Sequence, residues 1–228
     1  MQLRTPIPNM HYSEYTPVIG HKRWIIGADI AVKKDRTSIT VLEDVLRPAP
    51  RYGRGFVQEF DPPEKTVVQS FRLAKGADYP EIVDILARFS RAPEFEGDAH
   101  LFIDATGAGA AVASLLKRKN ISFHEVILTS GQGTSEVSHR EHRVSKAWLV
   151  NHLGAALACG DLKISKNIID AENLKRELQD YQVQFSQSGQ MTFNAKEGSH
   201  DDAIISSALA LYGSTKVTFG FSSSPLKW

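Results

Sequence analysis

The sequence predicts an α/β fold, a mixed central β-sheet with helices on both faces. Three observations predict it. The apolar runs Trp24–Ala28 and Leu101–Ile103 have the unbroken character of strands covered on both sides. Segments of helical period, such as Tyr79–Phe89, separate the strand-like runs. From Val67 to Leu128 the order is strand, helix, strand, helix, strand, which demands parallel pairs and helices packed on the sheet.

With 228 residues the chain can bury a substantial core, and 42% hydrophobic with 23% charged residues is the balance of a globular protein. The formal net charge of +1 neither favours nor excludes nucleic acid, because local basic patches decide that. One cysteine, Cys159, excludes an intrachain disulfide and fits a reducing compartment. Its apolar surroundings, Leu153 to Ala158, predict a buried core thiol. No apolar run approaches the ~20 residues of a membrane span, and no signal core opens the chain, so no membrane role is expected.

In order, residues 1–22 hold Pro6, Pro8 and Pro17 without periodicity and read as an extended lead-in or linker. Arg23–Ile30 is the first strand, and Thr37–Val41 returns as its hairpin partner across the turn at Asp35. Arg47–Pro63, rich in Pro, Gly and Arg, reads as a solvated loop or as an excursion hairpin containing Phe56–Phe60. Val67–Leu73 is a further strand, Tyr79–Phe89 an amphipathic helix and Arg91–Asp98 a loop. Ala99–Ile103 is a buried strand, Ala110–Lys119 a helix, and Ile121–Leu128 a strand. Thr129–Val137 reads as a Gly/Ser/Thr loop. Ser145–Ala158 is a helix on which His152 packs as a core or flanking residue, followed by the short strand Leu162–Ile164. Ala171–Tyr181 is a polar helix facing inward with Leu174, Leu178 and Tyr181, and Val183–Phe185 with Met191–Phe193 forms an edge hairpin. The last helix is apolar throughout, with Ile204, Ile205, Ala208, Leu209 and Leu211, and therefore lies deep. The folded domain spans residues 23–213, and 214–228 reads as an irregular tail.

The chemistry concentrates in acids at special places. Asp29 ends the first strand and Asp104 ends another, and ligand sites in α/β sheets gather at the carboxyl ends of strands. Asp201 and Asp202 open the buried last helix, where unpaired charge is costly. Clustered carboxylates repel unless a cation joins them, and Mg²⁺ or Mn²⁺ takes such hard oxygen ligands. Two such ions ~4 Å apart suit phosphodiester hydrolysis. Each acid also has a purely structural reading. Ser199 with Asp202 three residues later fits a capping box, and Asp104 can cap the turn through Thr106–Gly109. Two strand-end acids and an acidic helix mouth together favour the metal site. Gly107-Ala108-Gly109 lacks the third glycine of a dinucleotide fingerprint, and no phosphate-loop motif occurs.

These residues resemble a known family. Gly27-Ala28-Asp29-Ile30-Ala31 before a hairpin is similar to the first catalytic strand of RNase H-like nucleases. Asp104-Ala105-Thr106-Gly107-Ala108-Gly109 and Ser199-His200-Asp201-Asp202 together resemble the nuclease domain of the large terminase subunit of tailed bacteriophages. So do Arg143–Leu149 and Gly160–Ile164, and the resemblance runs from about Trp24 to Tyr212. It implies an RNase H-like fold and a metal-dependent endonuclease of the RuvC-like superfamily that cuts double-stranded viral DNA during packaging. Asp29, Asp104 and either Asp202 or Asp201 would be catalytic metal ligands, the sequence not choosing between the last two, for Mg²⁺ or Mn²⁺ as two ions. It further implies an N-terminal packaging ATPase not contained in this chain, the portal and small terminase subunit as partners, and the host cytoplasm as the place of action. Candidate phosphate contacts for the DNA are Lys33, Lys34 and Arg36, then Arg51 and Arg54, then Arg140, Arg143 and Lys146. Base-reading motifs are absent, which fits low sequence specificity. Competing readings are a Holliday-junction resolvase or RNase H-type nuclease, a non-catalytic DNA-docking module of a packaging motor, and an actin-like phosphotransferase.

Overall fold

The computed structural model describes residues 20–32, 36–52, 58–95, 97–169, 171–185, 191–195, 201–219 and 224–225. Most of the chain folds around one mixed sheet. Its strands are β1 (His21–Asp29), β2 (Ser38–Leu46), β5 (Glu64–Arg72), β6 (Ala99–Asp104), β7 (His124–Thr129), β8 (Thr134–Ser138), β9 (Glu141–Ser145) and β10 (Leu162–Ile164). They run in the order β10-β5-β2-β1-β6-β7-β9-β8. β1, β6, β7 and β9 are mutually parallel, so their carboxyl ends share one edge. β2 is antiparallel to both β1 and β5, with Asp29 opposite Ser38. A short β13 (Ser224–Pro225) pairs with His21 and Lys22, ahead of the point where β6 joins β1 at Trp24. Two separate hairpins complete the strands: β3 (Pro48–Tyr52) with β4 (Gln58–Phe60), and β11 (Tyr181–Phe185) with β12 (Met191–Ala195). The excursion-hairpin reading of residues 47–63 is thus the one the fold adopts.

The period of two along each strand splits the core in two. Ile25, Leu42, Phe102, Val126 and Val144 face α3 (Lys146–Cys159), α4 (Ala171–Asp180) and α5 (Asp202–Lys216). Ile26, Val41, Leu101 and Ile103 face α1 (Tyr79–Phe89) and α2 (Ala108–Arg118). Helices cover both faces, as the unbroken apolar strands require. By the same alternation Asp29, four residues after Ile25, and Asp104, two after Phe102, lie on the α5 face.

Helix α5 is buried from Ala203 to Ser214. It lies close to the sheet because both surfaces are stripped of side chain. A Cβ on Gly27 would overlap the Ser206 carbonyl oxygen and stand 2.6 Å from the Ala210 nitrogen. A Cβ on Gly213 would stand 2.6 Å from both Ile25 Cγ2 and the Phe102 ring. Small residues recur along the helix at Ala203, Ser206, Ala210 and Gly213, one face at helical spacing. The one serine hydroxyl on that face is paired: Ser206 Oγ lies 3.0 Å from Ser38 Oγ and 2.9 Å from Thr40 Oγ1.

Two expectations are corrected. Thr134–Ser138 is not loop but the edge strand β8, hydrogen-bonded to β9. All five of its residues are exposed, so no burial pattern marked it in the sequence. Cys159 is exposed, not buried. It is the last residue of α3, just before the left-handed Gly160 (φ 77°), and the buried stripe Leu149, Val150, Leu153 and Ala156 ends a turn earlier. The capping-box reading rests on Ser199, which lies outside the described residues; α5 itself starts at Asp202, directly after Asp201. His152 stacks on Trp148 at 5.0 Å, the flanking role expected of it. Asp35 and residues 1–19 lie outside the described residues.

A chain of rings crosses the sheet into α5. His124 Nδ1 lies 3.1 Å from His142 Nε2, and His142 Nδ1 lies 3.3 Å from the Tyr212 hydroxyl. His124 also stacks on Phe102 at 4.1 Å. Burial above all, and then the neighbouring His142, push the His124 imidazole down to about 3 from its ordinary 6.5. Between these values the unfolded chain takes up a proton that the folded protein refuses. The stability this neutral ring contributes is full above pH 6.5 and is lost as the pH falls toward 3. Thermal unfolding between pH 7 and 5 should therefore show a falling Tm in the native protein and a flatter profile in His124→Gln. Parallel profiles would refute this.

Candidate active site

The site is built where three elements meet at the carboxyl edge of the parallel strands. β1 and β6 deliver Asp29 and Asp104 side by side, because Ala28 pairs with Ile103 one residue before each acid. β6 stops there: Asp104 Oδ1 accepts from the Thr106 backbone N–H at 2.8 Å, and Thr106 Oγ1 accepts from Leu128 N at 2.8 Å. A Cβ on Gly109 would collide with the Asp104 carbonyl, so only glycine lets α2 begin this close to the strand end. The capping reading of Asp104 is realised by the Thr106 bond, and its strand register sets it beside Asp29. From the third element, α5 brings Asp201 and Asp202 to the same edge.

The electrostatics join these acids. The Asp29 carboxyl is pushed well above the ordinary carboxylate range, first by burial and then by Asp104, Asp202 and Asp201 in that order, with Lys146 pulling it back. Asp104 is pushed up by burial, opposed by its hydrogen bonding to Thr106 and by Lys146. Lys146 leaves the end of β9, and its Nζ lies 2.7 Å from Asp201 Oδ2. Among the described residues no three His, Cys, Asp or Glu side chains close into a set that could hold a metal ion. The donor chemistry nevertheless fits a hard divalent cation: four carboxylates from three elements, with Asp29 driven toward its protonated form first by desolvation and then by the charge of the others.

Sequence reasoning missed what anchors the helix mouth. Asp201, the residue before α5, does not cap it with its own side chain. Instead Glu177 of α4 reaches in, its Oε2 accepting from Ala203 N at 2.9 Å and Ile204 N at 3.3 Å, while its Oε1 pairs with Arg72 of β5. A signal existed: Glu177 falls between the inward Leu174 and Leu178 of an otherwise solvated helix. Replacing Glu177 by alanine takes the acceptor from two buried N–H groups and breaks a buried ion pair. It should cost about 3 kcal/mol in urea unfolding, with Glu177→Gln losing less; a loss under about 1 kcal/mol would refute the anchoring role.

The predicted basic residues divide. Lys146 stands among the acids. Arg36, Arg140 and Arg143 are exposed, Arg36 following β1 and the other two on the β8–β9 hairpin. Arg51 lies on the backbone of β3, and Lys33, Lys34 and Arg54 lie outside the described residues. No helix among the described residues is long and apolar enough to cross a membrane.

No family model matches the chain, and no curated protein sequence matches it. Solved structures do. The large terminase nuclease from the thermophilic phage G20c, solved with bound magnesium, superposes with a TM-score of 0.56 at 21% identity, over 84% of this chain and 81% of that one. Its cobalt-bound form gives the same values. The large terminase nuclease domain of Thermus phage P74-26 gives a TM-score of 0.51 at 21% identity, over 83% and 78% of the two chains. The chain, a mixed sheet with helices on both faces, therefore shares the RNase H-like fold of these phage large terminase nucleases.

Proposed function

We propose that this chain is a divalent-metal-dependent endonuclease that cleaves double-stranded viral DNA during genome packaging, with low sequence specificity. The observation that carries the reading is the concentration of four carboxylates at the carboxyl edge of β1 and β6, where Asp29 and Asp104 stand side by side and Asp201 and Asp202 add their charge to that on the half-buried Asp29. Asp29, Asp104 and Asp202 would hold Mg²⁺ or Mn²⁺, as two ions, with Asp201 the alternative or additional ligand. When bound, such ions activate a water and stabilise the leaving oxygen of a phosphodiester. The chain's own residues do the rest. β1 and β6 fix the spacing of Asp29 and Asp104, and Glu177 holds the α5 mouth against them. The exposed Arg36, Arg140 and Arg143 supply phosphate contacts that orient the duplex without reading bases. The fold shared with nucleases solved with magnesium, cobalt and zinc supports the metal. Residues 23–213 would form the nuclease domain, working in the host cytoplasm with a packaging ATPase, the portal and a small terminase subunit.

The test is loss of supercoiled plasmid with the purified chain in Mg²⁺ or Mn²⁺, beside an EDTA control. Linear duplex, a four-way junction and an RNA–DNA hybrid should be compared in parallel. Metal-dependent cutting of duplex supports the reading. Cutting confined to junction or hybrid would move it to a resolvase or RNase H, and binding without cutting would leave a docking module.

A further inference from the structure

Lys146 is in an unfavourable place for a lysine. It is the first residue of the 14-residue α3, at the positive end of the helix dipole, where a cation is disfavoured. Ser145 already caps that end, its Oγ accepting from Trp148 N at 3.3 Å, so Lys146 has no capping work to do. What opposes the dipole is the acid cluster. β9 lies parallel in the same sheet as β1 and β6, so a residue just past its carboxyl end comes to the edge that Asp29 and Asp104 occupy. There Lys146 Nζ meets Asp201 Oδ2 at 2.7 Å, and its charge reaches Asp29 and Asp104 as well.

We propose that Lys146 is the site's built-in cation, a charged side chain that competes with the divalent metal for the same carboxylates and so sets the affinity at which the site loads. The inference rests on the metal-nuclease reading of that site. The ammonium reaches Asp201 on a flexible stem from a neighbouring element, so it can leave without disturbing the strands. Its side chain is 49% exposed and that of Asp201 23%, which keeps the ion pair weak enough for an ion in solution to displace. A weak internal competitor of this kind makes metal loading reversible. It also leaves an ammonium beside the site to meet a phosphate once the ion has taken its place.

The experiment is titration of Mn²⁺ into the native protein, Lys146→Gln and Lys146→Arg by calorimetry, with Tm measured in EDTA and in saturating Mn²⁺. Lys146→Gln should bind Mn²⁺ about five-fold more tightly than the native protein, the effect of removing a half-exposed competing pair. Its Tm should rise more on adding the metal, while Lys146→Arg, which keeps the charge, should bind as the native protein does. Equal or weaker binding by Lys146→Gln would overturn the proposal, weaker binding making the lysine an organiser of the acids. No Mn²⁺ binding by the native protein would overturn the metal-site reading itself, and this inference with it.

Discussion

Replacing Asp29 by asparagine should lower metal-dependent plasmid cleavage by roughly two orders of magnitude or more, while leaving a folded protein whose Tm in EDTA is higher than that of the native chain. The two effects have one cause. Asp29 is the acid on which burial and three other carboxylates converge, so its charge is disfavoured in the folded protein and weighs against folding. The sign follows from proton linkage. The folded state holds a proton that the unfolded chain has released above the ordinary value of 3.8, so this acid favours folding at low pH and that contribution is lost as the pH rises through the folded-state value. Asparagine removes the charge, and with it both the penalty and the ligand. Asp104→Asn should lose activity in the same way. Native cleavage rates in either variant would remove the acids from the mechanism, and an unchanged or lower Tm in Asp29→Asn would show that the charge is not strained.

The second large effect is expected at Gly27. Substitution by alanine puts a methyl group onto the Ser206 carbonyl and 2.6 Å from the Ala210 nitrogen, both backbone atoms of a buried helix that cannot rotate aside. Overpacking of this kind should cost about 3 kcal/mol, roughly 10 °C in Tm for a chain of this size. The helix that must yield is the one carrying Asp202, so cleavage should fall further than stability explains. A displacement near 1 Å can cost a hundred-fold in rate. A Gly27→Ala protein with native Tm and native cleavage would show that α5 accommodates the methyl group.

These two residues also show what the sequence could and could not reveal. Strand-end acids are legible because a charge closing an unbroken apolar run has few structural excuses, and Asp29 and Asp104 stand at the strand ends as expected. α1 and β10 have the predicted limits, since their apolar pattern and flanking turns are local signals. Gly27 was visible as a residue but not as a contact, because its partner lies 179 positions later in Ser206. Glu177 was hidden for the same reason: a buried carboxylate on a polar helix acquires its meaning only when α5 and Arg72 arrive from elsewhere in the chain. β8 escaped because an edge strand exposed on both faces has no burial period to read. Lys146, a candidate phosphate contact by sequence, joins the acids only through the sheet order that places β9 in the same parallel set.

The two ends of α5 are held by different hands. Glu177 grips its first turn, and Arg23, itself bound to Asp44, reaches the carbonyls of Ser214 and Val217 at its last. The helix spans about 22 Å between them. In a mutational screen, distance from the acids would then be a poor guide to harm. A lesion at Arg23, at the opposite end of β1 from Asp29, would score as damage to the chemistry. By the same leverage, a small molecule or antibody that pried at the far end of α5 would act as an inhibitor without touching DNA, metal or any of the four carboxylates.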